Sequence, residues 1–342
     1  MIKIIGSLVV VLLCSMYCNA QIPAGYYDDA EGLVGEELRN ALEEIIDNHD
    51  FQSYGSLWTH VQTTDVKPNG KVWDMYSTPE EGEQPAYEFT FVEDQCGNYS
   101  GEGSCYNREH SVPASWYNDA NPTYTDLFHL YPTDGWTNGI RSAYPFGEVD
   151  NPSVTTTNGS KRGANTYPGY TGIVFEPIDE YKGDFARTYF YVATRYMDNI
   201  DGWNSAAFTG DNLSEWHANM LLEWHWNDPV SDKETDRNNA VYGIQENRNP
   251  FIDHPEWVDL IWTSTSSLNE FEIRDLTIEI IDAKLEVSGD WETVELYSAD
   301  GRLLDATTRL ENEVQDVPTN QTVLIMVRNN DAVQTKRYFL VD

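Results

Sequence analysis

Hydrophobic periodicity changes character near residue 265, and no single architecture accounts for both parts of the pattern. Before that point helical spacing dominates. Leu33, Leu38, Leu42, Ile45 and Ile46 recur on one helix face within residues 31–61, with Asn48 and the loop beyond ending the run. A second long helix is expected over Gly183–Met197, where Phe185, Tyr189, Val192 and Tyr196 share a stripe, and further helices over Glu215–Trp226 and Asp232–Ile244. Gly/Pro-rich loops and short strand-like runs, Val72–Tyr76 and Tyr87–Val92, lie between the first two. After the aperiodic stretch TSTSSLNE, alternation takes over at Leu285–Val287, Thr293–Tyr297, Val323–Val327 and Arg337–Val341. Turn signals at Ala299-Asp300-Gly301 and Asn329-Asn330-Asp331 separate these runs. The expectation is an α+β unit over residues 21–264, a linker over 265–274 and a small all-β sandwich over 275–342.

Residues 1–20 stand outside this scheme. Lys3 precedes an apolar run from Ile4 to Cys14, and the segment ends in Cys18-Asn19-Ala20, the pattern of a secretory signal peptide. The run is too short to span a bilayer and no later segment is long and apolar enough, so no stable membrane insertion is expected. Neither Cys14 nor Cys18 follows the small residue of a lipoprotein signal, which favours a freely secreted product. Removing the signal leaves Cys96 and Cys105, nine residues apart in a Gly-rich loop; in an oxidising compartment they are expected to pair. No further Cys or His stands at zinc-ligand spacing.

The formal net charge of −36 argues on its face against nucleic acid as a partner. The distribution of charge weakens that exclusion, because residues 108–250 hold 10 of the 21 Lys and Arg against 20 acids, whereas residues 21–107 hold 3 against 18. An acidic surface suits secretion into salty water, where screening shortens the reach of repulsion to about 8 Å or less.

Chemistry concentrates in YNREHSVPASW, Tyr106–Trp116, which sets Arg108, Glu109 and His110 side by side. Phosphodiester hydrolysis needs a base near neutrality, hard oxygen ligands for a divalent cation and a donor for a non-bridging oxygen, and this triplet supplies one of each. Adjacent residues of a strand point to opposite faces, so Glu109 and His110 serve one site only if the strand ends or twists there. Pro113 supports an end. Taken alone, the triplet reads better as solvated surface than as a site. Downstream, DLFHLYPTDGWTNGIRSAYPFG (Asp126–Gly147) brings His129, Asp134, Asn138 and Arg141, with Asn138-Gly139 resembling a tight turn.

Taken together, YNREHSVPASW, DLFHLYPTDGWTNGIRS, FEPIDEYKGDFARTYFY (Phe175–Tyr191), WHWNDPVSDKE (Trp224–Glu234) and NRNPFIDHPEWV (Asn247–Val258) resemble the successive blocks of the bacterial secreted endonuclease I family. These are metal-dependent, sequence-tolerant nucleases built on a ββα-metal (His-Me finger) core, and the blocks cover nearly all of residues 30–262. The resemblance implies that His110 is the general base and that Glu109 and Asn138 are the metal ligands. It implies magnesium as the metal, with calcium or manganese as substitutes. Arg141, one turn past Asn138, and Arg187, in the GDFART helix, become phosphate or backbone contacts, with a structural ion pair as the alternative for each. Arg108 is a phosphate contact or a support to the site, and Asp126 and His129 orient it from behind. Two departures stand out: Phe128 replaces a frequent His, and Glu246 a frequent Gly.

His49, His60, His217, His225 and His254 lack metal-spaced partners and read as structural, and the scattered Trp and Tyr read as packing. GDWETVELYSADGRLL, the VPT turn at Val317–Thr319 and the closing KRYFLV resemble the C-terminal sorting domains of proteins exported by the type IX secretion system of Bacteroidota. A carbohydrate-binding module is the alternative for that tail. The whole implies a secreted, sequence-nonspecific endonuclease acting on DNA, and on RNA, leaving 5′-phosphate ends, free or held at the cell surface. The rivals are an inactive polymer-binding protein on the same scaffold and a glycosidase using paired carboxylates.

Overall fold

A computed structural model describes residues 22–79 and 84–263 and, beyond these, the strands between 277 and 340. The expected signal peptide and linker lie outside the described residues. Contacts divide the chain into one unit ending at Trp262 and another beginning at Thr263.

The first unit opens with α1 (Gly35–Ile46) and α2 (Leu57–Thr64). The first helical run ends where expected, with Asn48 in the left-handed region at φ 55°. The two early strand-like runs are not strands. Val72 donates to the Phe89 carbonyl and forms one bridge with Val66, and then Asp74 turns the chain. Its Oδ1 accepts from the Tyr76 amide at 2.9 Å and its carbonyl from the Ser77 and Thr78 amides. A local side-chain turn therefore wins over alternation.

Next come β1 (Tyr106–His110), β2 (Leu130–Asp134) and α3 (Gly135–Arg141), then a three-stranded antiparallel sheet of β3 (Pro152–Thr155), β4 (Lys161–Ala164) and β5 (Ile173–Glu176). Helices α4 (Lys182–Arg195) and α5 (Met197–Ile200), the small hairpin β6 (Phe208–Thr209) and β7 (Asn212–Leu213), and helices α6 (Glu215–Asn227), α7 (Asp232–Gln245), α8 (Pro250–Asp253) and α9 (Glu256–Trp262) complete it.

Helix α4 is the axis of the core. Every residue from Gly183 to Arg195 is buried, so the expected stripe becomes a helix buried all round, packed against α1, α6 and α8. Phe185, Tyr189, Phe190 and Val192 are fully buried, each contributing about 1.5–3 kcal/mol. The polar residues of α4 survive burial by pairing. Arg187 binds Glu234 through Nε and Nη2, and Glu234 also closes a capping box with Ser231 at the start of α7.

The two sequence departures have structural meanings. Glu246 caps the C-terminus of α7 in the left-handed region, φ 62°, the conformation that favours the glycine it replaces. Phe128 is buried and packs on Tyr191 at 4.7 Å, making an apolar contact where a histidine would need a partner.

In the second unit the described strands are β8 (Thr277–Ile281), β9 (Lys284–Ser288), β10 (Thr293–Ser298), β11 (Leu303–Thr308), β12 (Gln315–Asp316), β13 (Gln321–Arg328) and β14 (Val333–Leu340). They form two antiparallel sheets, ordered β12-β9-β8 and β11-β10-β13-β14. Most of the side chains that a sandwich would bury lie outside the described residues.

Candidate active site

β1 pairs antiparallel with β2, placing Glu109 opposite Tyr131 and His110 opposite Leu130, and β2 runs directly into α3. The junction is fixed by Asp134, whose carboxylate caps α3 through the Thr137 amide at 2.7 Å and also accepts from the Gly103 amide at 2.9 Å. Strand, strand and helix thus form one compact ββα element.

Alternation along β1 sorts its side chains into two groups. Asn107 and Glu109 address α3: the Asn107 Oδ1 accepts from Asn138 Nδ2 at 2.8 Å, and Glu109 Oε1 from Arg141 Nη1 at 2.9 Å. A two-residue step on the strand therefore meets a three-residue step on the helix. Arg108 and His110 address two tyrosines instead. The Arg108 guanidinium lies 3.5 Å over the Tyr54 ring, Tyr54 stacks on Tyr124 at 4.7 Å, and Tyr124 stacks on His110 at 4.8 Å. Because β1 ends at His110, the groups converge beyond the strand end, in a cavity of about 310 Å³ lined by Arg108, Glu109, His110, Asn138 and Arg141 together with residues 113–115, 142 and 143.

The chemistry follows from the partners. His110 Nε2 lies 3.0 Å from the Tyr124 carbonyl, which can only accept, so Nε2 carries the proton and Nδ1 the lone pair. Burial, with help from His129, Arg108 and Arg141, pushes the imidazole down to about 3 against the upward pull of that carbonyl, so the ring is neutral. Burial pushes the Glu109 carboxyl up to about 7, opposed by Arg141 and by the Tyr76 hydroxyl, which donates to Oε1 at 2.8 Å. Since Asn138 donates its amide nitrogen to Asn107, its Oδ1 is left as an acceptor. The cavity thus offers a carboxylate and an amide oxygen, hard donors that suit a magnesium-type cation. Among the described residues no three His, Cys, Asp or Glu gather as a metal-binding group, so a cation held here would keep much of its water.

Several expected roles change. Arg141 is 1% exposed; Nη1 also donates to the His110 carbonyl at 2.8 Å, and Nη2 to the Ser111 carbonyl and the Tyr189 hydroxyl. It is a clamp beneath Glu109, with its fork committed to the protein. Arg187 does not face a substrate: it is fully buried against Glu234, His225 and the Asp228 carbonyl. Asp126 makes no hydrogen bond to Glu109, His110 or Asn138. It accepts from Tyr191, Tyr196, Gln245 and the Phe128 amide, and although burial alone would raise it, the neighbouring His49 and His129 and these donors hold it at about 2. His129 braces the chain after His110, its carbonyl accepting from the Ser111 amide, and its ring lies 5.7 Å from that of His110.

Asn138-Gly139 is helical rather than a turn, and the Tyr99 side chain lies over Gly139. A Cβ there would meet the Tyr99 hydroxyl at 2.0 Å. Tyr99 belongs to the loop closed by the Cys96–Cys105 disulfide, which is formed, and the Cys105 carbonyl accepts from the Gly135 amide at 2.9 Å.

Sequence reasoning missed Asn107, Tyr76, Tyr124 and Tyr54. Asn107 carries a signal, because it stands two residues before Glu109 and therefore on the same strand face. The tyrosines carry none, since they arrive from distant segments.

A sequence profile described as Endonuclease I matches residues 34–256. The chain is 36% identical over 249 residues to an extracellular ribonuclease of Bacillus subtilis and 35% identical over 254 residues to one of Bacillus amyloliquefaciens; each alignment covers 69% of this chain and 78% of the relative. It is also 30% identical over 128 residues to endonuclease-1 of Buchnera aphidicola from Acyrthosiphon pisum, covering 37% of this chain and 44% of that protein.

Proposed function

The chain belongs to the Endonuclease I family and is a nuclease, and from that premise we propose that it hydrolyses phosphodiester bonds in DNA and RNA with His110 as general base. The observation that carries this reading is the Nε2 bond to the Tyr124 carbonyl, which leaves Nδ1 the unprotonated nitrogen of a residue that lines the same cavity as Glu109 and Asn138. Nδ1 takes a proton from water as the water oxygen attacks phosphorus, and the P–O3′ bond breaks with the leaving 3′-oxygen taking a proton from solvent water, giving a 5′-phosphate and a 3′-hydroxyl. Glu109 and the Asn138 Oδ1 would hold a magnesium ion, with calcium or manganese as substitutes. That ion would supply positive charge where negative charge develops on the phosphoryl and leaving oxygens. Arg141 holds Glu109 in place, and Arg108 donates to a non-bridging phosphate oxygen.

Water is the nucleophile, so no 2′-hydroxyl is required and both nucleic acids are substrates. The extracellular ribonucleases among the relatives support the RNA arm. Contacts to the backbone leave little sequence preference.

The rival readings find less support. Glu109 is the sole carboxylate among the residues lining this cavity, whereas glycoside hydrolysis needs two. A purely binding scaffold has no use for Glu109, His110 and Asn138 together.

Residues 1–20 direct export and are removed. The C-terminal unit engages the type IX machinery, after which the product is released or held at the cell surface; deleting residues 275–342 and following extracellular activity tests that step. For the catalytic reading, the mature protein is incubated with plasmid DNA and with RNA, with magnesium or EDTA, beside His110→Ala. Cleavage of both polymers, abolished by EDTA and by the substitution, is expected. Intact polymers with magnesium, or cleavage indifferent to both, would falsify it.

A further inference from the structure

A chain with a net charge of −36 must still hold a polyanion. Within residues 22–263, among those described, nearly every Lys and Arg is ion-paired: Arg39, Lys67, Arg141, Lys161, Lys182, Arg187, Arg195, Lys233, Arg237 and Arg248 each have a carboxylate within 4.0 Å. The exceptions are Lys71, which donates to the Thr90 hydroxyl at 2.7 Å, and two arginines, Arg108 and Arg162. Arg108 lines the cavity from β1.

Arg162, on β4, approaches the end of α3 from outside the ββα element. Its Nη1 lies 3.4 Å from the Ile140 carbonyl, at the end of α3, and its guanidinium 5.9 Å from the Tyr144 ring. Residues 140 and 144 bracket 141–143, the segment that lines the cavity wall. The 3.4 Å contact is a weak bond, and it leaves most of the five donors uncommitted. Arg162 is only partly buried, so those donors are open to a ligand.

We infer that Arg162 binds a backbone phosphate of the substrate strand beside the scissile one, forming with Arg108 a two-point clamp across the cavity. This rests on the nuclease reading and extends it to a residue outside the ββα element. Internal pairing neutralises the other described cations of this unit except Lys71, which is held by the Thr90 hydroxyl, so the substrate's charge is met by two guanidiniums placed where the strand must lie. Acidic surface elsewhere repels nucleic acid and confines it to that line.

The test separates binding from chemistry. The full chain carrying His110→Ala, in EDTA, is titrated against a fluorescein-labelled DNA duplex at several salt concentrations, with and without Arg162→Ala or Arg162→Lys. Removing one phosphate contact should lower the slope of log affinity against log salt by about 1 and weaken binding about fivefold at 0.15 M salt. Lys should restore the slope, since it retains the charge. In the otherwise wild-type enzyme Arg162→Ala should raise KM severalfold and leave kcat within twofold. An unchanged slope, or an equal loss for Ala and Lys without a change of slope, overturns the inference. Failure of the wild type to cleave would overturn the catalytic reading instead, and the slope would still judge Arg162.

Discussion

Replacing Arg141 by alanine distinguishes a buried clamp from a substrate contact. In the structure its guanidinium joins Glu109, the His110 and Ser111 carbonyls and the Tyr189 hydroxyl, at 1% exposure beside a Glu109 that is 3% exposed. Removing one partner of a buried pair costs about 3–5 kcal/mol, because the remaining charge is left uncompensated. The two stranded carbonyls add to that, though not independently, each worth about 1 kcal/mol. Against a total stability of about 5–15 kcal/mol the loss is large. Urea unfolding followed by tryptophan fluorescence at pH 8 should therefore show Arg141→Ala destabilised by at least about 3 kcal/mol. Arg141→Lys should recover part of this, since it keeps the charge but cannot span four acceptors. A variant with wild-type stability and a severalfold higher KM would refute the reasoning, because it would put the guanidinium on the substrate.

Other outcomes follow from the same geometry. Glu246→Gly should stabilise the protein by about 1 kcal/mol, a rise in Tm of about 2–4 °C, because it relieves a left-handed cap; an unchanged or lower Tm would contradict this. Asn107→Ala should free the Asn138 amide to rotate and weaken magnesium binding about 10–100-fold with the fold intact, as read by metal titration beside circular dichroism; unaltered affinity would remove Asn107 from the site. Glu109 is pushed up to about 7, so the folded metal-free protein holds its proton where the unfolded chain has lost it. Its contribution to stability therefore falls as pH rises from about 4.5 to about 7 and is flat above. Magnesium uptake should accordingly release a proton at pH 6 and none at pH 8 in calorimetry; equal release at both would contradict the account.

How far the site was legible depends on how locally each residue is held. Glu109, His110 and Asn138 come together because one hairpin and one helix follow each other in sequence, and their spacing survives translation into structure. The roles of Arg141 and Arg187 were not legible, since an arginine in a motif looks the same whether its fork meets a phosphate or a buried glutamate. The long helices followed from periodicity, yet the complete burial of α4 did not, because it depends on which elements surround it. Val72–Tyr76 failed as a strand for a reason present in the sequence but outweighed there, the turn made by the Asp74 carboxylate. Tyr124 could not have been chosen at all, since its carbonyl, not its side chain, sets the His110 tautomer.

The central claim is that His110 Nδ1 activates water at a phosphodiester. Mass spectrometry of the ends produced from matched DNA and RNA oligonucleotides tests it most directly. The account predicts 5′-phosphate and 3′-hydroxyl ends from both, and none of either from His110→Ala. A 2′,3′-cyclic phosphate from RNA, with DNA left whole, would mean that the 2′-hydroxyl is the nucleophile, and the proposed mechanism would be wrong.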